Sequence, residues 1–296
     1  MPTTSPFQLP PAPLAQDWVG REYNNRNLVP EHPYIFERWE ADSERARSTL
    51  HCRLNLGYGP EPRHRVDLFP ALGADRLLVF IHGGYWRGLD KRMFAWLAPA
   101  WVASGVSVAL VNYRLCPAVH IADIVNDAIA AVNWAMANAA VHGAESQRVV
   151  LAGHSAGAHL VAAVLAAPRE QLHFNTDRIV GCVPVSGIFD FSPLPLFSGN
   201  IDFRLDARSA SALDLHDRKP AIDAPLVVAV GGEESGEFIR QSRLIADRWA
   251  PQVRELQVVP GMNHFTALNA LALRDQPLHE ATLALFGKPQ VKFASR

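Results

Sequence analysis

Val149-Val150-Leu151-Ala152-Gly153-His154-Ser155-Ala156-Gly157-Ala158-His159-Leu160 joins a short apolar run to an Ala-rich segment through a glycine-flanked serine. The run is apolar at every position, as in a strand buried on both faces, and Ala156 to Ala166 reads as a helix. Gly153-His154-Ser155-Ala156-Gly157 is a G-x-S-x-G pattern, and it stands in the strand-to-helix context that the pattern requires. A sharp turn there projects Ser155 Oγ from the carboxyl edge of a sheet. The glycines permit close backbone approach, and the free N–H groups at the helix start favour a developing oxyanion.

The same rhythm extends in both directions. Leu77 to Ile81, Val106 to Val111, Ile179 to Val185, Leu226 to Val230 and Leu256 to Val259 are further apolar runs. Helices are predicted between the earlier ones, at Met93 to Ala103 and Ile121 to Ala139. Buried strands separated by helices give an α/β fold with a mostly parallel central sheet covered on both faces. Upstream, Tyr34 to Ser48 reads as a surface helix of mixed charge. Leu50 to Leu56 and His64 to Phe69 read as a hairpin across Gly57-Tyr58-Gly59-Pro60. Residues 1–18, with Pro2, Pro6, Pro10, Pro11 and Pro13, read as an extended arm. Phe189 to Pro225 interrupts the alternation with four prolines and a helical patch near Ala207 to Leu215, which marks a lid. With no internal repeat and no second core pattern, residues 19–296 are expected to form one domain.

Composition bounds the function classes. The 296 residues carry 28 basic and 29 acidic side chains, so the formal charge of −1 argues against an electrostatic grip on nucleic acid or an anionic membrane. Only 19% of residues are charged, which fits a chain that commits much of its length to a large core. Cys52, Cys116 and Cys182 are odd in number and widely spaced, against a disulfide framework or a structural zinc site. No signal peptide or apolar span is apparent, so a cytoplasmic location is expected.

A serine of ordinary acidity needs a base, and the base needs an orienting carboxylate, in the order Ser, acid, His for this topology. Of the histidines after Ser155, His159 lies one turn into the elbow helix and cannot swing back. His264 follows the last strand and is the expected base. The loop after Leu226 to Val230 offers Gly231-Gly232-Glu233-Glu234 and no Asp. Glu234 is preferred over Glu233 as the acid, and Asp223 lies at the wrong end of the strand. His82-Gly83-Gly84-Tyr85-Trp86 ends the strand at Leu77 to Ile81. There the N–H groups of Gly83 and Gly84, with that of Ala156, are predicted to form an oxyanion hole. His82 is expected to be structural.

Together these residues resemble the α/β-hydrolase superfamily and, within it, the kynurenine formamidase (arylformamidase) and esterase group. The resemblance rests on His82-Gly83-Gly84-Tyr85-Trp86, Gly153 to Leu160 and Val185-Ser186-Gly187-Ile188-Phe189-Asp190. Ser235 to Ser242 and Tyr23-Asn24-Asn25-Arg26 are also similar, so that it covers Tyr23 to Phe286. Glu234 stands where that family normally has Asp. Hormone-sensitive-lipase-like esterases carry a third glycine and an Asp where this chain has Tyr85 and His154. The resemblance implies a serine hydrolase that cleaves an aryl formamide such as N-formylkynurenine through an acyl-enzyme, without metal or cofactor. The H-x-G-T-H motif of the metal-dependent formamidases is absent. The alternatives are a carboxylesterase on short-chain or aryl esters and a non-catalytic ligand-binding member of the fold. The expected partner is a small-molecule amide or ester, and a homodimer is admitted but not required. Tyr85, Trp86 and Phe265, with Tyr113, are expected to wall an aromatic pocket, and Arg114 or Arg26 to pair with a substrate carboxylate.

Overall fold

Strands Arg53–Gly57 (β1), Arg65–Phe69 (β2), Arg76–Ile81 (β3), Ser107–Val111 (β4), Arg148–His154 (β5), Ile179–Val185 (β6), Leu226–Gly231 (β7) and Val253–Val259 (β8) form one sheet. Its order is β1-β2-β4-β3-β5-β6-β7-β8. The coordinates, a computed structural model, describe residues 10–287. β2 runs antiparallel to both β1 and β4, and every pair from β4 through β3 to β8 is parallel. The helices are Gln16–Glu22 (α1), Asn25–Leu28 (α2), His32–Thr49 (α3), Ala98–Ala103 (α4), Ile121–Asn138 (α5), Ala156–Leu165 (α6), Asn200–Phe203 (α7), Ala207–Leu213 (α8), Gly236–Arg248 (α9), Ala267–Ala272 (α10) and Pro277–Leu285 (α11).

Side-chain alternation in the strands divides the core in two. Leu77, Val79 and Ile81 of β3 and Val149 and Leu151 of β5 pack on one face, with α5 and α6. Leu78, Phe80, Val150 and Ala152 pack on the other, with α4, α10 and α11. Successive strand residues point to opposite faces, so a run apolar throughout serves both cores. All ten residues of α6 are buried, which explains its alanine richness: small side chains let it lie close on β3, β5 and β6 beneath α5.

The predicted arm and helix need correction. Chain from Gln16 is already helical, with Trp18 and Val19 buried and an Asp17–Arg21 ion pair on the outer side, so the arm does not extend to residue 18. Its first nine residues, and the chain after residue 287, lie outside the described residues. The helix expected over Met93 to Ala103 is a 3₁₀ segment from Lys91 to Leu97 followed by α4. Pro99 explains the break. A continuous α-helix would need its missing N–H and would drive its ring into the preceding turn. α9, α10 and α11 were not anticipated as elements. Among the described residues no helix is long and apolar enough to cross a membrane.

Candidate active site

Ser155 occupies a backbone conformation that few L-residues adopt, at φ 55° and ψ −118°, between the end of β5 and the first turn of α6. Its N–H donates to Val185 O at 2.8 Å, tying the turn to β6. Close packing makes the turn possible: a Cβ on Gly157 would stand 2.0 Å from Ile81 O. Strain held by the surroundings in this way is characteristic of functional turns. Ala156 is the first residue of α6, so its N–H has no acceptor within the helix.

His264 lies in the loop after β8, and its Nδ1 is 2.6 Å from Glu234 Oε2. Glu234 Oε1 accepts from the Gly231 N–H at 2.7 Å and from Ser186 Oγ at 2.5 Å. One carboxylate oxygen is therefore held by two donors while the other meets the imidazole. This contact keeps the proton on Nδ1 and leaves the Nε2 lone pair free to accept one. Glu233 does not join this arrangement. Its N–H donates instead to Met262 O, at 3.0 Å. The sequence Val185 to Asp190 carries no signal for this contact of Ser186, because the φ of 53° that aims its hydroxyl at Glu234 arises only in the folded chain. His154, the variable position of the elbow, is another unforeseen contributor. Its Nε2–H donates to His264 O at 2.7 Å and steadies the histidine loop. Burial, reinforced by the neighbouring His264, holds the His154 pKa well below its ordinary value.

The loop after β3 approaches from the opposite side. Gly84 has φ 109°, and a Cβ there would meet Gly88 O at 2.3 Å. No hydrogen bond from the Gly83 or Gly84 amide is found among the described residues. His82 is structural, as expected. Its Nδ1–H donates to Gly83 O at 2.7 Å, and its ring is stacked between Phe94 and Tyr113. Burial pushes its pKa down to about 4. Tyr113 is fully buried and donates to His82 O at 2.8 Å, so it supports this loop and does not wall the pocket.

Ser155, His154 and His264 line a cavity of about 370 Å³ with Gly84 and the predicted Tyr85 and Phe265. Among the described residues no hydrogen bond joins Ser155 to His264, whose Nδ1 is taken by Glu234. Trp86 is not in the wall. It is fully buried and packs against His159, Phe191 and Phe203, because the positive φ of Tyr85 and Trp86 turns the two rings to different environments. The aromatic wall comes instead from Phe36 and Trp39 of α3 and from Phe197, which stacks on Tyr85 at 5.1 Å. The excursion at 189–225 is anchored rather than loose. Phe189, Phe191, Leu194 and Phe203 are buried, and Ala221 and Ile222 donate to Leu165 O. Arg114 makes a forked ion pair with buried Asp127 and does not line the cavity, whereas Arg26 does. Outside the cavity, Asp190, Asp214 and His216 come within 4.8 Å of one another, but Arg240 already neutralises Asp190 and His216 pairs with Asp214.

A family model described as the α/β-hydrolase fold matches residues 78–217. A solved structure of a candidate thioesterase from Silicibacter sp. is 33% identical with a TM-score of 0.79, over 91% of this chain and 99% of that one. This chain belongs to the α/β-hydrolase family. The α/β-hydrolase is also 28% identical over 258 residues to kynurenine formamidase of Salmo salar, covering 83% of this chain and 86% of that protein. Esterase B of Lactobacillus rhamnosis, 16% identical with a TM-score of 0.63 over 89% of this chain and 94% of that one, shares the fold. As an α/β-hydrolase the protein is a hydrolytic enzyme.

Proposed function

We propose that this hydrolase cleaves an aryl formamide of the N-formylkynurenine type to the arylamine and formate, with Ser155 as nucleophile, His264 as base and Glu234 as acid. The observation that carries the chemistry is that His264, held by Glu234 behind it, lines one aromatic-walled cavity with Ser155. The similarity to kynurenine formamidase over most of the chain supports the formamide. Ser155 Oγ attacks the formyl carbon as His264 Nε2 takes its proton, and Glu234 stabilises the imidazolium without becoming protonated. The N–H groups of Gly83, Gly84 and Ala156 receive the tetrahedral oxyanion. Each such donor is worth on the order of 10²–10³ in kcat. His264 then gives its proton to the departing aryl nitrogen, leaving a formyl ester on Ser155. Water, deprotonated by His264, releases formate and restores the serine.

Phe36, Trp39, Tyr85, Phe197 and Phe265 suit the flat ring of the leaving group, since stacked and edge-to-face pairs add to simple burial. The second reading, a carboxylesterase, uses the same steps with an alcohol or phenol departing, and the esterase and candidate thioesterase of the same fold favour it. Parallel kinetics on N-formylkynurenine and p-nitrophenyl acetate separate the two. A kcat/KM for the formamide at or above that for the ester is expected. An inert formamide beside a rapidly cleaved ester would leave the esterase.

A further inference from the structure

We infer that Arg26, with the side-chain amide of Asn25, forms an anion-recognition subsite that selects substrates bearing a carboxylate arm remote from the scissile carbonyl. The inference rests on the hydrolase reading of Ser155 and His264 and extends it to the other end of the substrate.

The charges around the cavity lead to this subsite. Its wall includes three ionic side chains, Arg26, Arg87 and Asp202. Arg87 Nη1 is 2.7 Å from Asp202 Oδ2, so these two cancel. Burial keeps His154 neutral. The remaining charge is that of Arg26, which makes no hydrogen bond or ion pair to a described residue and lies with its guanidinium 5.8 Å from the Phe36 ring centre. A guanidinium is always charged and carries a planar fork of donors matched to a carboxylate. Arg26 is exposed, and its fork stands at the mouth of the reaction cavity with no acceptor among the described residues.

Asn25 points the same way independently. The residue is 4% exposed and lines the cavity, yet its buried Nδ2 has no hydrogen-bond partner. A buried amide left unmade costs free energy unless something supplies an acceptor. Its neighbour Asn24 has spent its side-chain oxygen on the Asn27 N–H.

The subsite is also held in place. Tyr23 is fully buried, and its hydroxyl donates to Glu237 at 2.5 Å while Gln241 donates to it at 3.0 Å. Tyr85 donates to Tyr23 O, and Ser235 Oγ to Glu22 O at 2.8 Å. These bonds tie the segment carrying Asn25 and Arg26 to α9 and to the loop of Gly84, both of which border the catalytic groups. Arg26 meets the Phe36 ring, Phe36 meets Phe265, and Phe265 meets His264, so two aromatic rings link the guanidinium to the histidine. That link, two ring contacts long, suits an arm of the substrate remote from the scissile carbonyl.

The test is a selectivity ratio. Steady-state kinetics would compare N-formylkynurenine with its neutral methyl ester, and an aryl acetate carrying a propanoate arm with unsubstituted phenyl acetate. In the unmodified enzyme the carboxylated member of each pair should have the lower KM. Arg26→Ala should reduce the preference for the carboxylated member by about ten- to a hundredfold, the range for hydrogen bonds to charged groups, mainly through KM. Arg26→Lys should retain part of it, Arg26→Glu should invert it, and Asn25→Ala should lower it less. A ratio unmoved by Arg26→Ala and Arg26→Glu would overturn the subsite. If only the acetates are cleaved, the formamide reading fails while the acetate pair still decides the role of Arg26. Circular dichroism and melting curves identify any variant that has not folded.

Discussion

Ser155, Glu234 and His264 stand one, three and five residues beyond the ends of β5, β7 and β8, whereas Asn25, Arg26, Phe36 and Phe197 reach the same cavity from segments outside the sheet. On the first side the backbone is placed by parallel ladders and short loops, so Ser155, Glu234 and His264 inherit the rigidity of the sheet. On the second side the wall is placed by side-chain contacts over long sequence separations, such as Tyr23 with Glu237 and Arg87 with Asp202. Asn25, Arg26 and Phe36 lie on helices, but those helices join the cavity only through such distant contacts, not through the hydrogen-bonded ladder of the sheet. Under the proposed mechanism the sheet side carries the bond-breaking groups, and the outer wall selects the molecule presented to them.

Substitution should separate these two sides. Ser155→Ala is expected to lower kcat by about 10⁴-fold or more with little change in melting temperature. Near-normal turnover in purified Ser155→Ala would remove the serine from the mechanism. Glu234→Gln should cost about 10³- to 10⁴-fold, because it disturbs the tautomer and orientation of His264, and stopped or steady-state assays would measure it.

Trp86 probes the boundary between the sides. As a core residue, Trp86→Ala should destabilise the fold by about 3–5 kcal/mol in denaturant titrations. Phe197→Ala should instead act chiefly on KM. A purely kinetic effect of Trp86→Ala would return that ring to the pocket wall.

Acid should weaken the fold through the histidines that support the site. Burial first, only partly offset by hydrogen bonds to backbone carbonyls, holds His82 and His159 at about 4. In the unfolded chain both return to about 6.5. The unfolded state therefore binds more protons between those values. Stability is full above about pH 6.5 and declines as pH falls toward 4, by about 2 kcal/mol for each histidine at pH 5. Urea titrations at pH 7 and pH 5 check this, and an unchanged midpoint would contradict it. The smallest effect should come from Ser186→Ala, which deletes one of two donors to Glu234 Oε1 and should lower kcat by about tenfold. Full activity there would mean that the Gly231 amide alone suffices.

Much of the fold was legible because buried parallel strands advertise themselves as uninterrupted apolar runs. The elbow was legible because a strand, a tight turn and a helix require local residue types at fixed offsets. Position narrowed the acid to Glu233 or Glu234, since no Asp lies in the loop after β7, and only the fold separates them by bringing Glu234 Oε2 to His264. The arm boundary, the 3₁₀ segment before Pro99 and the side on which Trp86 lies were not. Each depends on contacts with chain far away in sequence. Trp86 shows this most clearly: adjacent aromatic residues look equally suited to a pocket until a positive φ sends one to the cavity and the other to the core.

By itself the sequence determined the alternation of strand and helix and the strand-end positions of Ser155, Glu234 and His264, because periodicity and turn chemistry act over a few residues. Only the tertiary structure decided that Ser186 and His154 brace the histidine–glutamate pair, and that Arg114 is neutralised while Arg26 is not. Only it placed Phe36 and Phe197 in the cavity that Ser155 lines. Those outcomes depend on which distant side chains come within hydrogen-bonding or van der Waals reach, and no local pattern encodes that.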